Sequence, residues 1–316
     1  MFELRHLRVF REVSRCGSLS AAAESLDYTQ PAVSQQMAAL ERRAGMSLLD
    51  RTTRGVRLTE AGEALLRHAE AILSEQSLAE QELEALAGVL GGRVRMASFP
   101  TAGAALVPPA VSQFIARYPE VELSVLEAEP QEAVSMLRAG ELEVALVAER
   151  KRPDAFGDAY EGIVLHHLLD EPMCVLLPQS HRLARRRHLR LEDVRQDPWI
   201  ELGRSPAGPR GRVYLAPGRE ADRKPPVAFR SDDFNVVQGM VAAGAGVALV
   251  PELALGNLRR DVIVHTLGGS APMRKVAAAT LAGVHRSPAT VVMLEVLAEV
   301  SGRHDASPGP SQAARG

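Results

Sequence analysis

Residues 17–37 read GSLSAAAESLDYTQPAVSQQM, and this stretch decides the fold of the N-terminal part of the chain. Ser18 is a good N-cap for an alanine-rich helix over residues 19–26. After a brief turn a further helix begins, with Pro31 in its first turn, where proline is tolerated. Two short helices joined by a tight turn have the spacing of a helix-turn-helix. We therefore predict that residues 30–43 form the second helix of such a motif.

The segments on either side extend the motif into a winged helix. An apolar face over residues 4–13 predicts a preceding helix. Residues 48–49 and 56–58 are apolar and flank a polar turn with Gly55, which favours a small β-hairpin, or wing. We therefore predict that residues 1–60 form a winged helix-turn-helix domain that binds DNA.

Residues 61–90 are predicted to form one long linker helix, about 45 Å long at roughly 1.5 Å per residue. Its apolar residues recur alternately four and three positions apart, which is the heptad seam of a coiled coil, with the polar Gln76 as an interruption. The alternative is a single amphipathic helix packed on its own domain. We favour a dimer seam because nothing nearby in the sequence would cover so narrow and long a stripe. The predicted dimerisation contacts are Leu65, Ile72, Leu83 and Leu86.

Residues 91–301 alternate short apolar strands with helices. This alternation favours a parallel sheet with crossover helices, and hence an α/β domain. The last residues, 302–316, are rich in Ser, Pro, Gly and Ala and are predicted to be disordered.

Composition excludes several classes of protein. The 316 residues carry a net charge of −2, so overall charge favours neither a nucleic acid nor a membrane partner. The only two cysteines, Cys16 and Cys174, are far apart, which excludes a disulfide framework and a zinc finger. A thiol switch needing two cysteines within residues 91–301 is disfavoured as well, whereas oxidation of Cys174 alone stays open.

Other absences bear on localisation and catalysis. We find no apolar export signal and no stretch long enough to span a bilayer, so we expect a cytoplasmic protein. A nucleophile elbow, a phosphate-binding loop and a metal-ligand spacing are also missing from the sequence. We therefore expect no enzyme, no metal and no cofactor.

The first 62 residues resemble the LysR-type transcriptional regulators. The segments that match in residue type and spacing are 7–10, 17–23, 26, 30–37, 40–41 and 48–62. Further segments follow the family's order at 106–108, 118–121, 140–145, 177–178, 181–184 and 241–251. Ser47 and Leu49 depart from the family, where proline and phenylalanine are common; both are packing changes that leave the DNA-binding interpretation intact.

This resemblance implies a fold beyond the winged helix-turn-helix. A long linker helix would lead into a C-terminal two-lobed α/β effector domain of the periplasmic-binding-protein-like kind. Lobe I would take residues 93–163 and 267–300, and lobe II would take residues 164–266, so the chain would cross between the lobes twice. The implied function is sequence-specific transcription regulation, with double-stranded promoter DNA as partner and a small-molecule co-inducer of unknown identity between the lobes. A homodimer or a homotetramer is implied as well.

The predicted DNA contacts lie on the second helix of the motif and on the wing. The helix offers uncharged amide and hydroxyl groups that can read base edges in the major groove, and its proline and alanine allow close approach. The positive charge follows, since residues 42–57 contain five arginines against one aspartate. Arginines there can neutralise phosphates, and one at the wing tip can enter the minor groove. The predicted DNA-binding residues are Gln30, Pro31, Ala32, Ser34, Gln35, Arg51 and Arg54.

The predicted effector contacts lie where ligands sit in open α/β sheets, beyond the carboxyl ends of the strands. A strand ending at Ser98 is followed by a helix whose N-terminal amides suit an anion. The alternative is that the hydroxyls there merely cap that helix. The predicted effector-binding residues are Ser98, Phe99, Pro100, Thr101, Ile200, Glu201 and Ser231.

A different class of protein remains as an alternative function. Residues 92–300 alone could belong to a two-lobed small-molecule-binding protein without regulatory DNA binding, or to a ligand-binding enzyme domain. The attached winged helix and the absent export signal favour the regulator.

Overall fold

The computed structural model describes residues 2–52, 55–86, 92–150, 160–201, 227–267, 272–283 and 286–306. Within these ranges an N-terminal winged helix is followed by one long helix and a C-terminal α/β domain. This order of elements is the one that the sequence predicts.

Three helices build the N-terminal domain: α1 (Leu4–Cys16), α2 (Leu19–Ser25) and α3 (Gln30–Ala44). Ser18 caps α2 as predicted, because its Oγ accepts a hydrogen bond from the Ala21 amide over 3.0 Å. The side chains that form the shared core are fully or almost fully buried and include Leu7, Phe10, Val13, Val33, Met37 and Leu40.

The predicted wing is an antiparallel hairpin of β1 (Leu49–Thr52) and β2 (Gly55–Leu58). It is fixed to the helices at Gly17, whose carbonyl accepts a hydrogen bond from the Val56 amide over 2.8 Å. Gly55 has a φ of 128°, and a Cβ at that position would lie 2.7 Å from the same carbonyl oxygen. The approach of the wing to the α1–α2 turn therefore requires glycine.

The long helix α4 (Glu60–Leu86) packs its first half against its own domain. Ala69 and Leu73 are buried there and Leu65 is partly buried. For this half, the burial agrees with the alternative of an amphipathic helix packed on its own domain. Ile72 and Leu83 are 42% and 67% exposed, so they remain available for a partner. The side chain of Leu86 lies outside the described residues, and the dimer seam stays a prediction.

The C-terminal domain is built on a sheet of mixed strand direction rather than on a purely parallel one. The strands are β3 (Arg93–Ser98), β4 (Glu122–Glu127), β5 (Val144–Arg150), β6 (Ile163–Pro178), β7 (Trp199–Glu201), β8 (Val227–Arg230), β9 (Val247–Pro251), β10 (Val262–Thr266) and β11 (Met273–Leu281). Their order is β4-β3-β5-β11-β6-β9-β7-β8, and β10 pairs with β6 as well. The β3–β4, β3–β5, β7–β8 and β7–β9 pairs are parallel, whereas every pair made by β6 or β11 is antiparallel.

The long strand β6 joins the two lobes, and this moves the lobe boundary. Residues 163–172 pair with β11 of lobe I, and residues 173–178 pair with β9 and β10 of lobe II. The expected change of lobe at residues 163–164 is therefore about nine residues too early. The physical reason is that one uninterrupted strand serves both lobes, so no loop or turn marks the crossing in the sequence.

Among the described residues, α-helices pack on both halves of the sheet. In lobe I these are α5 (Pro100–Ala105), α6 (Val107–Arg117), α7 (Pro130–Arg138) and α9 (Pro288–Ala306), and in lobe II the α-helix is α8 (Phe234–Ala242). Each lobe has two apolar clusters. Burial on both sides agrees with the continuous apolar run of β9, in which all five residues are buried.

Two further differences from the sequence expectations concern α5 and α9. Between β3 and β4 the sequence predicts a crossover helix, and the structure has two consecutive helices there, α5 and α6. In α9, residues 302–306 are helical, which corrects the disordered tail predicted from residue 302. The apolar face of α9 packs on lobe I through Met293, Val296 and Val300, and this packing carries the helix beyond Gly302.

Candidate functional site

Helix α3 presents an uncharged polar face at its N-terminal end. Gln30, Pro31 and Gln35 are exposed, while Ala32 and Ser34 are half-buried beside them. On the opposite side Val33, Met37 and Leu40 have no exposed surface, and they hold the helix on the core of the domain. The structure therefore brings all five predicted α3 residues together on or next to one surface.

Positive charge borders this face at the C-terminal end of α3. Arg42 and Arg43 are exposed, and Arg43 pairs with Glu3 at 2.5 Å. The hydrogen bond from Arg43 lowers the pKa of the Glu3 carboxyl. Arg43 is therefore tied to α1, whereas Arg42 and the exposed Arg57 on β2 point their charge to solvent.

The wing arginines are only partly described. The backbone of Arg51 lies in β1, opposite Val56 in the hairpin register. Its side chain and the whole of Arg54 lie outside the described residues. Their DNA-binding roles stay predictions.

The lobe I part of the predicted effector site is tightly packed. Ser98, Phe99 and Thr101 are 2%, 3% and 4% exposed, and Pro100 begins α5 beside them. The Ser98 hydroxyl donates to the Phe99 carbonyl oxygen over 3.1 Å. The hydroxyls of Ser98 and Thr101 do not cap α5. Phe99 is the N-cap residue, and no side-chain cap hydrogen bond is formed. The capping alternative is therefore wrong for this helix.

Arg274 and Glu171 complete this part of the site, and the sequence reasoning missed both. Arg274 on β11 donates to the Thr101 hydroxyl over 2.8 Å, forms an ion pair with Glu171, and lies 4.9 Å from the centroid of the Phe99 ring. Glu171, with a side chain 2% exposed, also accepts from the Leu253 amide over 2.9 Å. Leu253 belongs to the 3-10 helix Glu252–Leu255, which follows β9 of lobe II. The Arg274–Glu171 pair thus links the predicted effector residues to the other lobe.

The lobe II part of the predicted site lies at the ends of β7 and β8. The Glu201 carboxylate accepts from Arg230 over 2.9 Å, and its backbone carbonyl accepts from the Ser231 amide over 3.1 Å. Ser231 in turn accepts from the Asp233 amide at the start of α8. Ile200 is 2% exposed and packs in an apolar cluster, so its side chain belongs to the core of lobe II.

Cys174 lies in the lobe II part of β6 with no exposed surface. Burial, with Glu252 and Glu171 nearby, raises the pKa of its thiol to about 12. The thiolate form needed for oxidation is therefore strongly disfavoured.

Two features are absent from the described residues. No group of three or more histidine, cysteine or acidic side chains could hold a metal ion. In the same part of the chain, no helix combines the length and the apolar character that crossing a bilayer requires.

Two family models match the chain. Residues 4–63 match the bacterial regulatory helix-turn-helix protein model of the lysR family. Residues 87–302 match the LysR substrate binding domain model.

Individual relatives match over most of their length. The chain is 30% identical over 300 residues to a probable HTH-type transcriptional regulator, LrrA, of Synechococcus elongatus, covering 94% of this chain and 97% of that protein. It is 30% identical over 251 residues to a hydrogen peroxide-inducible genes activator of Dickeya chrysanthemi, covering 77% of each.

Solved structures share the fold. A full-length OxyR variant from Pseudomonas aeruginosa superposes with a TM-score of 0.66 at 24% identity, over 95% of each chain. Full-length CbnR in complex with its target DNA superposes with a TM-score of 0.59 at 24% identity, over 95% of this chain and all of that one.

Proposed function

Because the chain belongs to the LysR family of transcriptional regulators, it is a DNA-binding regulator whose activity an effector modulates, and we propose how its residues divide these tasks. The N-terminal face of α3 reads bases, the arginines around it hold the phosphate backbone, and a small molecule binds between the lobes. The match of residues 4–63 to the helix-turn-helix model argues against the alternative of a two-lobed binder without regulatory DNA binding.

One observation carries the DNA-binding part of the proposal. The uncharged face of α3 with Gln30 and Gln35 is exposed, while Met37 and Leu40 on the same helix are fully buried. A helix held in this way can enter the major groove, where glutamine amides pair with adenine. Arg42, Arg57 and the wing residues Arg51 and Arg54 then supply phosphate and minor-groove contacts.

The effector part of the proposal places a small polar metabolite beside Thr101 and Arg274 in lobe I and beside Glu201 and Ser231 in lobe II. The charge of Arg274 is balanced by Glu171, so the site as it stands does not demand an anion. We propose no metal and no further cofactor.

Three further properties belong to the proposal. The protein works as a homodimer or homotetramer, with Ile72 and Leu83 of α4 at the seam. It acts on promoter DNA and therefore in the cytoplasm. It is not an enzyme in this proposal, because its function is to bind DNA and the small-molecule effector.

Footprinting tests the DNA-binding part. Purified full-length protein is titrated onto the DNA upstream of its own gene in the presence of excess non-specific DNA. We expect a discrete protected segment with two half-sites one or two helical turns apart. Uniform protection, equal on an unrelated fragment, would contradict specific binding.

A thermal-shift screen tests the effector part. A panel of small organic acids and neutral metabolites is added to the wild type, to Thr101→Val and to Thr290→Val. Thr290 is an equally buried threonine that bonds to Ser287 at the start of α9, which makes it a matched control. We expect a compound that raises the melting temperature of the wild type and of Thr290→Val but not of Thr101→Val. A ligand that stabilises all three equally would refute the placement.

A further inference from the structure

Arg11 reaches out of the DNA-binding domain into the C-terminal domain. It lies on α1, yet its Nη1 donates to the Ala139 carbonyl oxygen over 2.9 Å and its Nη2 pairs with Glu141 at 3.1 Å. The two side chains are 21% and 25% exposed. The Nε of Arg11 is buried and has no hydrogen-bond partner among the described residues. The guanidinium is therefore enclosed between two domains rather than lying on the surface.

The segment that receives Arg11 is itself held rigidly. It is the turn between α7 and β5, residues 139–143, which we call the α7–β5 turn. Arg95 on β3 donates to the Gly140 carbonyl over 2.8 Å and forms an ion pair with Glu143 at 2.6 Å. The Glu143 side chain is 5% exposed. The α7–β5 turn is therefore bonded directly to the sheet of lobe I.

The long helix α4 is linked to the same turn through Arg95. Arg95 also contacts the Ser77 hydroxyl of α4 at 3.4 Å. Glu70 lies on α4 seven residues before Ser77 and is half-buried. Burial raises the pKa of its carboxyl, and its charged neighbours are Arg11, Glu141 and Arg138. The α7–β5 turn is therefore the point where α1, α4 and lobe I come together.

From this junction we propose that Arg11 is a positioning residue for DNA binding. Its contacts with Ala139 and Glu141 fix the winged helix on lobe I of the same chain, and α1 in turn packs on α3. A movement of lobe I is then passed through Arg11 to α1 and to the DNA-reading helix. This inference rests on the proposed function, because it concerns how the DNA-binding domain is oriented.

A charge-swap cycle tests the contact. The variants are Arg11→Glu, Glu141→Arg and the double variant that carries both, all in the full-length protein. Hydrogen–deuterium exchange without DNA reports on the junction, and operator affinity on the footprinted fragment reports on function. The matched control is the same swap at Arg117 and Glu299, an ion pair of 2.9 Å between α6 and α9 that lies wholly within lobe I.

We expect each single variant to speed exchange in the α7–β5 turn and to weaken operator affinity by about fivefold, the lower end of ordinary coupling between sites. The double variant should restore the wild-type exchange rate and operator affinity, and the control swap should change neither quantity. Far-UV circular dichroism and melting temperature check that the single variants fold; where one does not, Glu141→Gln takes its place.

Three results would overturn the inference. Unchanged exchange and affinity in the single variants would show that the contact does not hold the domains. Faster exchange with unchanged affinity in the single variants would show that Arg11 has no positioning role. Tighter DNA binding in these variants would show that the contact inhibits DNA binding instead of supporting it. Failure of the wild type to bind DNA specifically would sink the proposed function instead, and the exchange data would still report on the junction.

Discussion

The guanidinium of Arg274 donates a 2.8 Å hydrogen bond to the hydroxyl of Thr101, although 173 residues separate the two in sequence. The same guanidinium is paired with Glu171, whose side chain is almost completely buried. Thr101, one of the seven predicted effector-binding residues, thus already accepts a hydrogen bond from an arginine that the sequence does not place near it.

The Arg274–Glu171 pair supplies the first prediction. Arg274→Met leaves a buried carboxylate whose remaining donor among the described residues is the Leu253 amide, so we expect a loss of about 3 kcal/mol in the free energy of unfolding. Adding Glu171→Gln recovers most of this loss, because the uncompensated charge disappears. Urea unfolding followed by circular dichroism measures both. Glu299→Gln, in an exposed ion pair, is the control and should change little; equal losses in control and test would contradict the prediction.

DNA reading supplies the second prediction. Gln30→Ala and Ser34→Ala should each lower discrimination between operator and non-specific DNA, by about 1–3 kcal/mol where a base contact is lost. Arg54→Ala should weaken binding to all sequences and lower the slope of log affinity against log salt by about one. Gel-shift titrations at several salt concentrations measure both quantities. Gln131→Ala on α7 is the control; operator binding that stays unchanged in all three test variants would refute the assignment.

Two glycines within helices are predicted to respond in opposite directions to alanine. At Gly62 of α4 a Cβ would lie 2.2 Å from the Leu48 carbonyl oxygen, so Gly62→Ala must displace the wing from the helix and destabilise the domain. At Gly239 of α8 nothing lies within 4 Å, so alanine should stabilise by about 0.5–1 kcal/mol through its higher helix propensity. Thermal unfolding of the two variants gives the comparison. A Gly62→Ala protein as stable as the wild type would show that the close approach is relaxed in solution.

The seam on α4 gives a prediction about assembly. Leu83→Glu, and more so the combination with Ile72→Glu, should shift the protein towards monomer, because a charge would enter the predicted coiled-coil contact. Ala71 is exposed on the same helix but lies off the seam, so Ala71→Glu is the matched control. Sedimentation velocity over a concentration series measures the assembly. An unchanged distribution in the Ile72 and Leu83 variants would place the interface elsewhere.

Cys174 is predicted to be chemically inert in the folded protein. With a thiol pKa raised to about 12, almost no thiolate exists at pH 8. Mass spectrometry after iodoacetamide treatment should find Cys174 modified only in the unfolded protein, whereas the half-buried Cys16 reacts sooner. Hydrogen peroxide should accordingly leave the operator affinity of a Cys16→Ser variant unchanged. A peroxide-dependent change in that variant would show that Cys174 becomes accessible.

The winged helix and the uncharged polar face of α3 could be predicted from the sequence. These features depend on signals within one helix or one turn: the cap at Ser18, Pro31 in the first turn of α3 and Gly55 in the turn of the hairpin. Helical periodicity directs residues inward or outward wherever the helix packs, so the exposed side of α3 could be read from the order of residues alone.

The tertiary structure alone decided the contacts that join distant segments. The lobe change within β6, the Arg274–Thr101 bond and the Arg11–Ala139 bond link segments up to 173 residues apart. The path of the chain through the sheet determines which of them meet, and no local pattern records that path. The sequence therefore predicts where DNA is read, whereas the packed domains show which side chains hold the two lobes and the DNA-binding domain together.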